Sequence, residues 1–341
     1  FKDTVRRLNA EADQELYNLE IADTYEAGME KLSGQLNGVI VDIKLDGNHT
    51  GNDIIHEIVD NFRVPVAIFT GTPDIDELNN VSSIQVYKKG EASHEGIIRE
   101  LCAVSDTGLF NVLGGTGIIE RTMTQIFWNN LYPQIELWKE KKAQGIETEK
   151  VLLRYAVSHI QEFMDAEVPA YVTEEMYISP PISKDIKTGT IFKHLKENLF
   201  CIVLSPPCDL ANHGGKFKTD QILICEIDNH DVVNIDVANK KTKQGDKKKE
   251  IQKAITNNYT AYYHWLPKNT LFEGGYINFR KVKTYQPKKF LEEYGLPKVK
   301  VQEYFVKNIL NRFSAYYARQ GHPDFDFDTE AKIIVNKFKD C

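Results

Sequence analysis

The stretch GVIVDIKLDG, residues 38–47, decides the fold of the N-terminal region. A short run of β-branched apolar residues ends in one carboxylate, Asp42, and a glycine-containing turn follows. Such a run is typical of a buried β-strand. The next segment, residues 51–62, carries apolar residues at helical spacing, namely Ile54, Ile55, Ile58 and Phe62. Asp42 is therefore expected at the carboxyl end of a strand that leads into a helix.

Two more strand patterns follow, RVPVAIFTG at residues 63–71 and SIQVYKKG at residues 83–90. Strands that alternate with helices at short intervals predict a parallel sheet with helices on both faces. The functional crevice of such a sheet lies at the carboxyl ends of its strands. Asp42, Thr70 and Lys89 each end a predicted strand, so we expect a carboxylate, a hydroxyl and an ammonium group to converge at one edge.

The segments VIVDIKLDG, VPVAIFTG and VYKKG resemble, in order and spacing, the receiver domain of two-component response regulators. The resemblance covers residues 1–105 and implies a flavodoxin-like parallel sheet. It implies a phosphoacceptor at Asp42, a switch hydroxyl at Thr70 and a phosphoryl-contacting lysine at Lys89, with Lys88 as the alternative shifted by one residue. It also implies a magnesium ion at this site and a partner such as a cognate histidine kinase.

The sequence departs from the family pattern at its start. In the family, the first strand ends in an acidic pair that holds the metal ion, whereas this sequence opens with the helical pattern FKDTVRRLN. We expect that the first strand and its acidic pair precede Phe1, or that this receiver no longer accepts a phosphoryl group. A receiver-shaped interaction module, with Asp42 as a solvated acid at a strand end, is the alternative.

A glycine-rich segment, NVLGGTGIIERT at residues 111–122, resembles the opening of a nucleotide-binding fold. Glycines serve such loops because the backbone must approach a pyrophosphate closely. Here Glu120 stands where the third glycine would be, and no strand with a terminal acid follows. The segment is therefore predicted to be a hinge between domains.

Residues 106–169 are predicted to be a helical connector, because apolar residues recur at helical spacing from Ile118 to Met164. Two alternatives remain open for its apolar faces. They form a homodimer surface or a signal-transmitting element next to the receiver-like domain, or they pack on the domain that follows.

Residues 170–341 contain short β-rich runs separated by Gly, Pro and Asn, followed by two amphipathic helical patterns. This sequence pattern predicts an α+β module with a small β-barrel or a bent sheet. The predicted strands are TGTIF, LFCIVLSPP, QILICEI, VVNIDVA, AYYHWLP and GGYINFRKVKTY.

Within this module, LSPPCDLANH places Cys208 on a turn beside Asp209 and five residues before His213. A thiolate paired with an imidazole would be a nucleophile. Alternatively, Cys208 and His213 would bind zinc together with Cys225, His230 or His264. The third alternative is a buried structural cysteine with Asp209 capping the turn. The PPCDLA segment resembles a motif of uncharacterised bacterial proteins, some of them found near phage-defence genes.

A lysine-rich run follows at residues 240–253, and it is a candidate for nucleic-acid binding. Aromatic residues from Tyr259 to Trp265 would supply stacking faces for a single strand. A solvated hairpin loop, with those aromatic residues in the core, is the alternative. The lysines concerned are Lys240, Lys241, Lys243, Lys247, Lys248 and Lys249.

The amino-acid composition excludes some classes of function. The chain has 341 residues, 42% of them hydrophobic, and a formal net charge of -7, which argues against a surface that coats nucleic acid or membranes as a whole. Its five cysteines are scattered, which favours a reducing compartment. No apolar run reaches the ~18 residues of a membrane-spanning helix, so no membrane partner is expected.

These observations predict a cytoplasmic signalling protein, a multidomain phosphoprotein in which a receiver-like domain regulates an effector module of unknown activity. The alternatives are a nucleic-acid-targeting enzyme or toxin-like effector of antiphage defence, and a non-enzymatic scaffold.

Overall fold

The computed structural model describes residues 1–45, 49–71, 84–165, 170–213, 216–239, 244–319 and 326–337. The chain forms two compact units, Phe1–Val168 and Pro169–Cys341. Each unit has its own sheet and its own hydrophobic core.

The first unit begins with helices that alternate with short strands. In chain order these are α1 (Lys2–Glu11), α2 (Tyr25–Lys31), β1 (Val39–Val41), α3 (Gly51–Asn61), β2 (Val66–Thr70), β3 (Gln85–Lys88) and α4 (His94–Asp106). Helical segments make up the rest of the unit: α5 (Leu109–Leu113), α6 (Ile118–Ile126), a π-helical turn (Phe127–Leu131), a 3-10 turn (Tyr132–Gln134), α7 (Ile135–Ala143) and α8 (Thr148–Asp165).

The sheet of the first unit is parallel, with strand order β1-β2-β3. Val41 pairs with Ile68, and Thr70 pairs with Lys88, so the carboxyl ends of the strands lie at one edge. The apolar stripe of α3 packs on the sheet because Ile54, Ile55 and Ile58 are buried in one cluster with Val41 and Ile68.

The second unit is mostly antiparallel. Its elements are a 3-10 turn (Thr173–Met176), β4 (Tyr177–Ile178), β5 (Thr190–Lys193), β6 (Phe200–Val203), β7 (Asn212–His213), β8 (Lys216–Phe217), β9 (Ile222–Asp228), α9 (Asp231–Asn239), α10 (Gln244–Ile255), β10 (Tyr263–Leu266), β11 (Gly275–Tyr285), α11 (Pro287–Tyr294), β12 (Val299–Val301), α12 (Glu303–Tyr317) and α13 (Phe327–Lys337).

Seven of these strands form one curled sheet in the order β10-β11-β9-β6-β5-β12-β4. Neighbouring strands run antiparallel, and the pairing of β11 with β9 shifts register between Ile277 and Val282. In the described part of the chain, β10 and β4 are the two edge strands of this sheet, so the sheet does not close into a barrel. Of the two predicted forms, the structure has the bent sheet, an open half-barrel.

Both faces of this sheet are buried. Alternate residues point to opposite faces, so Ile191 and Ile202 belong to one apolar cluster while Phe192 and Cys201 belong to the other. Helix α12 covers the first face with Val306 and Ile309. Helix α11 covers the second face with Phe290 and Tyr294.

The structure confirms the prediction of a mixed α/β chain with an N-terminal parallel sheet.

The prediction that VVNIDVA forms a strand is wrong. That segment forms helix α9, not a strand. Val233 and Val237 are buried together against Tyr263 and Tyr276. Their spacing of four residues matches the turn of a helix, so packing on the sheet outweighs the β-propensity of valine and isoleucine. None of the described helices has the length and apolar character needed to cross a membrane.

Candidate functional site at the carboxyl edge of the parallel sheet

Asp42, Thr70 and Lys89 stand at corresponding points of three neighbouring strands. Asp42 directly follows β1, Thr70 is the last residue of β2, and Lys89 directly follows β3. Because the strands are parallel, these residues share the carboxyl edge of the sheet.

Lys89 connects all three strand ends. Its side-chain ammonium donates to Oδ2 of Asp42. Its backbone N–H donates to the carbonyl oxygen of Thr70 at 2.9 Å. Strand β2 lies between β1 and β3, so the lysine side chain spans the end of β2 to reach the carboxylate. The other carboxylate oxygen, Oδ1 of Asp42, accepts from the backbone N–H of Lys44 at 3.3 Å.

The hydroxyl of Thr70 is the unusual group at this edge. Thr70 is fully buried, and its Oγ1 has no hydrogen-bond partner among the described residues. A buried hydroxyl without a partner costs about 1–3 kcal/mol. An oxygen brought to this edge by a ligand or a modification would remove that cost by accepting a hydrogen bond from the hydroxyl.

Gly51 fixes the position of Asp42. A Cβ atom on Gly51 would overlap the backbone carbonyl of Asp42, and it would lie 2.8 Å from Cα of Ile43. The N–H of Gly51 donates to the carbonyl oxygen of Ile43 at 2.8 Å, which holds the start of α3 against the end of β1. Sequence reasoning did not identify this role; the available signal was a glycine as the first residue of a predicted helix.

The structure distinguishes Lys89 from Lys88. The ammonium of Lys88 contacts Oε1 of Glu91 at 2.7 Å, whereas Lys89 pairs with Asp42. The side chains of Asp42 and Lys89 are 31% and 45% exposed. Ion pairs this exposed contribute about 0–1 kcal/mol to stability, so the pair is of little use as a purely structural contact.

The described residues do not by themselves fit a magnesium ion at this edge. Magnesium binds hard oxygen ligands in an octahedral arrangement. Asp42 supplies one carboxylate, and the Lys89 ammonium already contacts it. In the described ranges no group of three or more His, Cys, Asp or Glu side chains is arranged to hold a metal ion.

The structure describes the second candidate site, Cys208, Asp209 and His213, only in part. Cys208 is exposed, and its Sγ lies 3.7 Å from Oδ1 of the adjacent Asp209. The backbone N–H of Asp209 donates to the carbonyl of Pro206 at 3.0 Å, which closes the predicted turn. The backbone of His213 lies in β7, and its side chain lies outside the described part of the chain.

Of the other proposed zinc ligands, Cys225 and His264 are buried in the second unit, and His230 is half-buried. Burial raises the pKa of the Cys225 thiol to about 12, and its Sγ donates to the carbonyl of Asn278 at 2.9 Å. His264 is 3% exposed, and burial, with a smaller contribution from the Arg312 charge, lowers its pKa to about 3. Burial also lowers the pKa of His230. Among the described residues these groups form no metal-binding cluster.

The candidate nucleic-acid surface differs from the predicted loop. Lys247, Lys248 and Lys249 lie on helix α10, and Lys240, Lys241 and Lys243 lie outside the described residues. The aromatic residues after α10 pack inward, since Tyr263 is buried and Tyr259, Tyr262 and Trp265 are partly buried against the same cluster. Tyr262 also stacks against the guanidinium of Arg280 at 3.7 Å.

The structure therefore brings Asp42, Thr70 and Lys89 to one edge, and it shows no comparable convergence around Cys208 in the described ranges. In comparisons with known proteins, no family model, no curated protein and no solved structure matched this chain.

Proposed function

We propose that the chain is a signalling protein whose first unit acts as a receiver-like input domain and accepts a phosphoryl group on Asp42. One observation carries this proposal: the Lys89 ammonium contacts the Asp42 carboxylate at the sheet edge where Thr70 ends β2, and the buried Thr70 hydroxyl has no partner among the described residues. The resemblance of the three strand ends to receiver domains supports the same conclusion.

The proposed step is a transfer of a phosphoryl group to a carboxylate. An oxygen of Asp42 attacks the phosphorus of a phosphohistidine or a small acyl phosphate. The new bond joins the carboxylate oxygen to phosphorus, and the old bond breaks with its electron pair leaving on the donor group. The carboxylate becomes an acyl phosphate with more negative charge, which the Lys89 ammonium offsets.

Thr70 then reports the modification. The added phosphoryl oxygens would accept a hydrogen bond from the Thr70 hydroxyl, which has no partner among the described residues. The residue before it, Phe69, lies edge-on against His94 of α4, with ring centroids 5.2 Å apart. A shift of Thr70 would therefore reach α4 through this contact, and helix displacement next to a modified site is a common form of switching.

Within this proposal the second unit is the responding module. A histidine kinase as donor, a homodimer through residues 106–169 and an antiphage role remain predictions from the sequence. The enzymatic alternative at Cys208, Asp209 and His213 also stays a prediction.

The test is intact-mass analysis after incubation with acetyl phosphate, with and without added magnesium ions. The wild-type chain should gain the mass of one phosphoryl group, and hydroxylamine should remove it, as it does for an acyl phosphate. Asp42→Asn should gain none. Asp60→Asn, which changes an exposed carboxylate of α3, is the matched control and should gain mass like the wild type.

Wild-type protein that gains no phosphoryl group in either condition contradicts the proposal. Equal gain in the wild type and in Asp42→Asn contradicts the assignment of Asp42.

A further inference from the structure

A cavity of about 380 Å³ lies in the first unit, away from the Asp42 site. One wall is formed by residues 34–37, which precede β1, and by Arg63, which precedes β2. The other wall is formed by Gly114, Thr116 and Gly117 of the glycine-rich segment and by flanking residues of α5 and α6. Segments that precede parallel strands lie at the amino edge of the sheet, so this cavity is at the edge opposite Asp42, Thr70 and Lys89.

The lining of this cavity is cationic. Arg63 and Arg121 both line it, and no acidic residue in the described part of the chain does. Arg121 Nη1 donates to the carbonyl of Thr116 at 2.7 Å, and Arg63 Nη2 contacts Oε1 of Glu120 at 2.5 Å. Each guanidinium has five N–H donors, so both retain donors for an anion after these contacts.

The backbone of the glycine-rich wall also offers donors. A Cβ on Gly115 would lie 3.0 Å from Cα of Gly34, and a Cβ on Gly117 would lie 2.6 Å from the carbonyl of Val112. The backbone therefore folds here in a way that side chains would prevent. Thr116 lines the cavity, and its N–H has no backbone hydrogen-bond partner among the described residues. The start of α6 adds partial positive charge to the same wall.

Neutral groups complete the lining. Three carboxamide side chains, those of Gln35, Asn37 and Asn111, provide both donors and acceptors. Phe110 adds a partly exposed aromatic ring. A cavity of this volume is within the range of small-molecule sites, about 300–1,000 Å³. Its mixture of guanidinium groups, carboxamides and one ring suits a molecule with an anionic end and a planar polar end.

We propose that this cavity binds a nucleoside monophosphate, with the phosphate held by Arg63 and Arg121 and the base read by the carboxamides beside Phe110. Arginine pairs give phosphate two parallel hydrogen bonds each, and carboxamides are suited to the polar edge of a base. The ligand would tie the amino edge of the sheet to the helical segment 109–126, because both walls would contact it. This inference does not depend on phosphorylation of Asp42.

Isothermal titration calorimetry of the full 341-residue chain at low ionic strength tests the proposal. The probes are the 5′-monophosphates of adenosine, guanosine, cytidine and uridine, with inorganic phosphate and the four nucleosides as separate arms. At least one monophosphate should bind with a stoichiometry of one. The matching nucleoside and inorganic phosphate should each bind at least about tenfold more weakly, because each lacks one half of the contacts.

Three variants identify the site. Arg121→Gln should weaken monophosphate binding about tenfold, the loss expected for one charge-assisted contact. Glu120→Gln should tighten binding about threefold, because it removes the carboxylate that competes for Arg63. Arg99→Gln, in an ion pair with Glu95 on α4 and outside the cavity, is the matched control and should bind like the wild type.

Arg121→Gln and Glu120→Gln should change the affinity for the monophosphate in opposite directions. If these side chains only stabilised the fold, both changes would weaken binding. Absence of binding by all four monophosphates overturns the proposal. Unchanged affinity in Arg121→Gln, or inorganic phosphate that binds as tightly as the nucleotides, also overturns it.

Discussion

The two sheets treat the ends of their strands differently. In the first unit, three parallel strands place Asp42, Thr70 and Lys89 at one edge, although these residues are far apart in the sequence. In the second unit, neighbouring strands run antiparallel, so successive strand ends fall at opposite edges. A parallel sheet therefore brings the side chains at the ends of successive strands to one edge, whereas an antiparallel sheet distributes them over two edges.

The two units also use charge differently. In the second unit, Glu226 and Asp228 have side chains only 11% and 10% exposed, and they pair with Lys283 and Lys281 across β9 and β11. Asp228 also accepts from Asn278 at 2.8 Å. These carboxylates hold two strands together. The more exposed Asp42–Lys89 pair adds little stability and stays accessible for chemistry.

The largest effect is expected in the buried core of the second unit. Phe290→Ala removes a fully buried ring that packs against Phe192 and Tyr294. The free energy of unfolding of this unit should fall by about 3–5 kcal/mol. Hydrogen exchange followed by mass spectrometry, which reports each unit separately, measures the change. Leu296→Ala, at a 58% exposed side chain, is the control and should change it by less than about 0.5 kcal/mol.

Gly51→Ala tests how tightly the candidate site is built. The added Cβ overlaps the Asp42 carbonyl, so α3 or the end of β1 must move. The first unit should lose about 1–3 kcal/mol of unfolding free energy, and phosphoryl incorporation at Asp42 should fall with it. Gly71→Ala follows β2 and meets no atom within 4 Å, so it is the matched control. Equal losses in both variants would contradict the proposed role of Gly51.

The pH dependence of the second unit should follow His264. Its pKa is about 3 in the folded protein and about 6.5 in the unfolded chain, so between these values only the unfolded chain binds the proton. The free energy of unfolding should therefore fall as the pH drops below about 6.5, by up to ~1.4 kcal/mol per pH unit. Urea denaturation from pH 7 to pH 5 measures the slope. His264→Gln should flatten it, and an unchanged slope would contradict this assignment.

The smallest effect on stability is expected at the candidate site itself. Lys89→Gln should change the unfolding free energy of the first unit by less than about 1 kcal/mol, because the ion pair is exposed. Phosphoryl incorporation should nevertheless fall by about tenfold or more, because the developing charge loses its cation. Lys88→Gln, which removes the contact with Glu91, is the matched control. A similar loss of incorporation in both variants would contradict the selection of Lys89.

Sequence reasoning worked best where the pattern is local. The three strands of the first unit follow from β-branched runs bounded by Gly and Pro, and helix α3 follows from its apolar stripe. The prediction failed for α9. Its valines favour a strand when the sequence is considered alone, but in the structure they pack on the sheet as one face of a helix. Nothing local in the sequence indicates that Arg63 lies across a cavity from the glycine-rich segment, for which the hinge stays a prediction.

The sequence by itself determined that the first region is α/β and that a carboxylate, a hydroxyl and a lysine end its successive strands. Periodicity and strand-end position are local properties, so they can be read from neighbouring residues. Only the tertiary structure decided that Lys89, and not Lys88, reaches Asp42 and that the Thr70 hydroxyl is buried without a partner among the described residues. It also decided that Arg63 and Arg121 line one cavity. These features depend on strand register and on which distant segments pack together, and no local pattern encodes them.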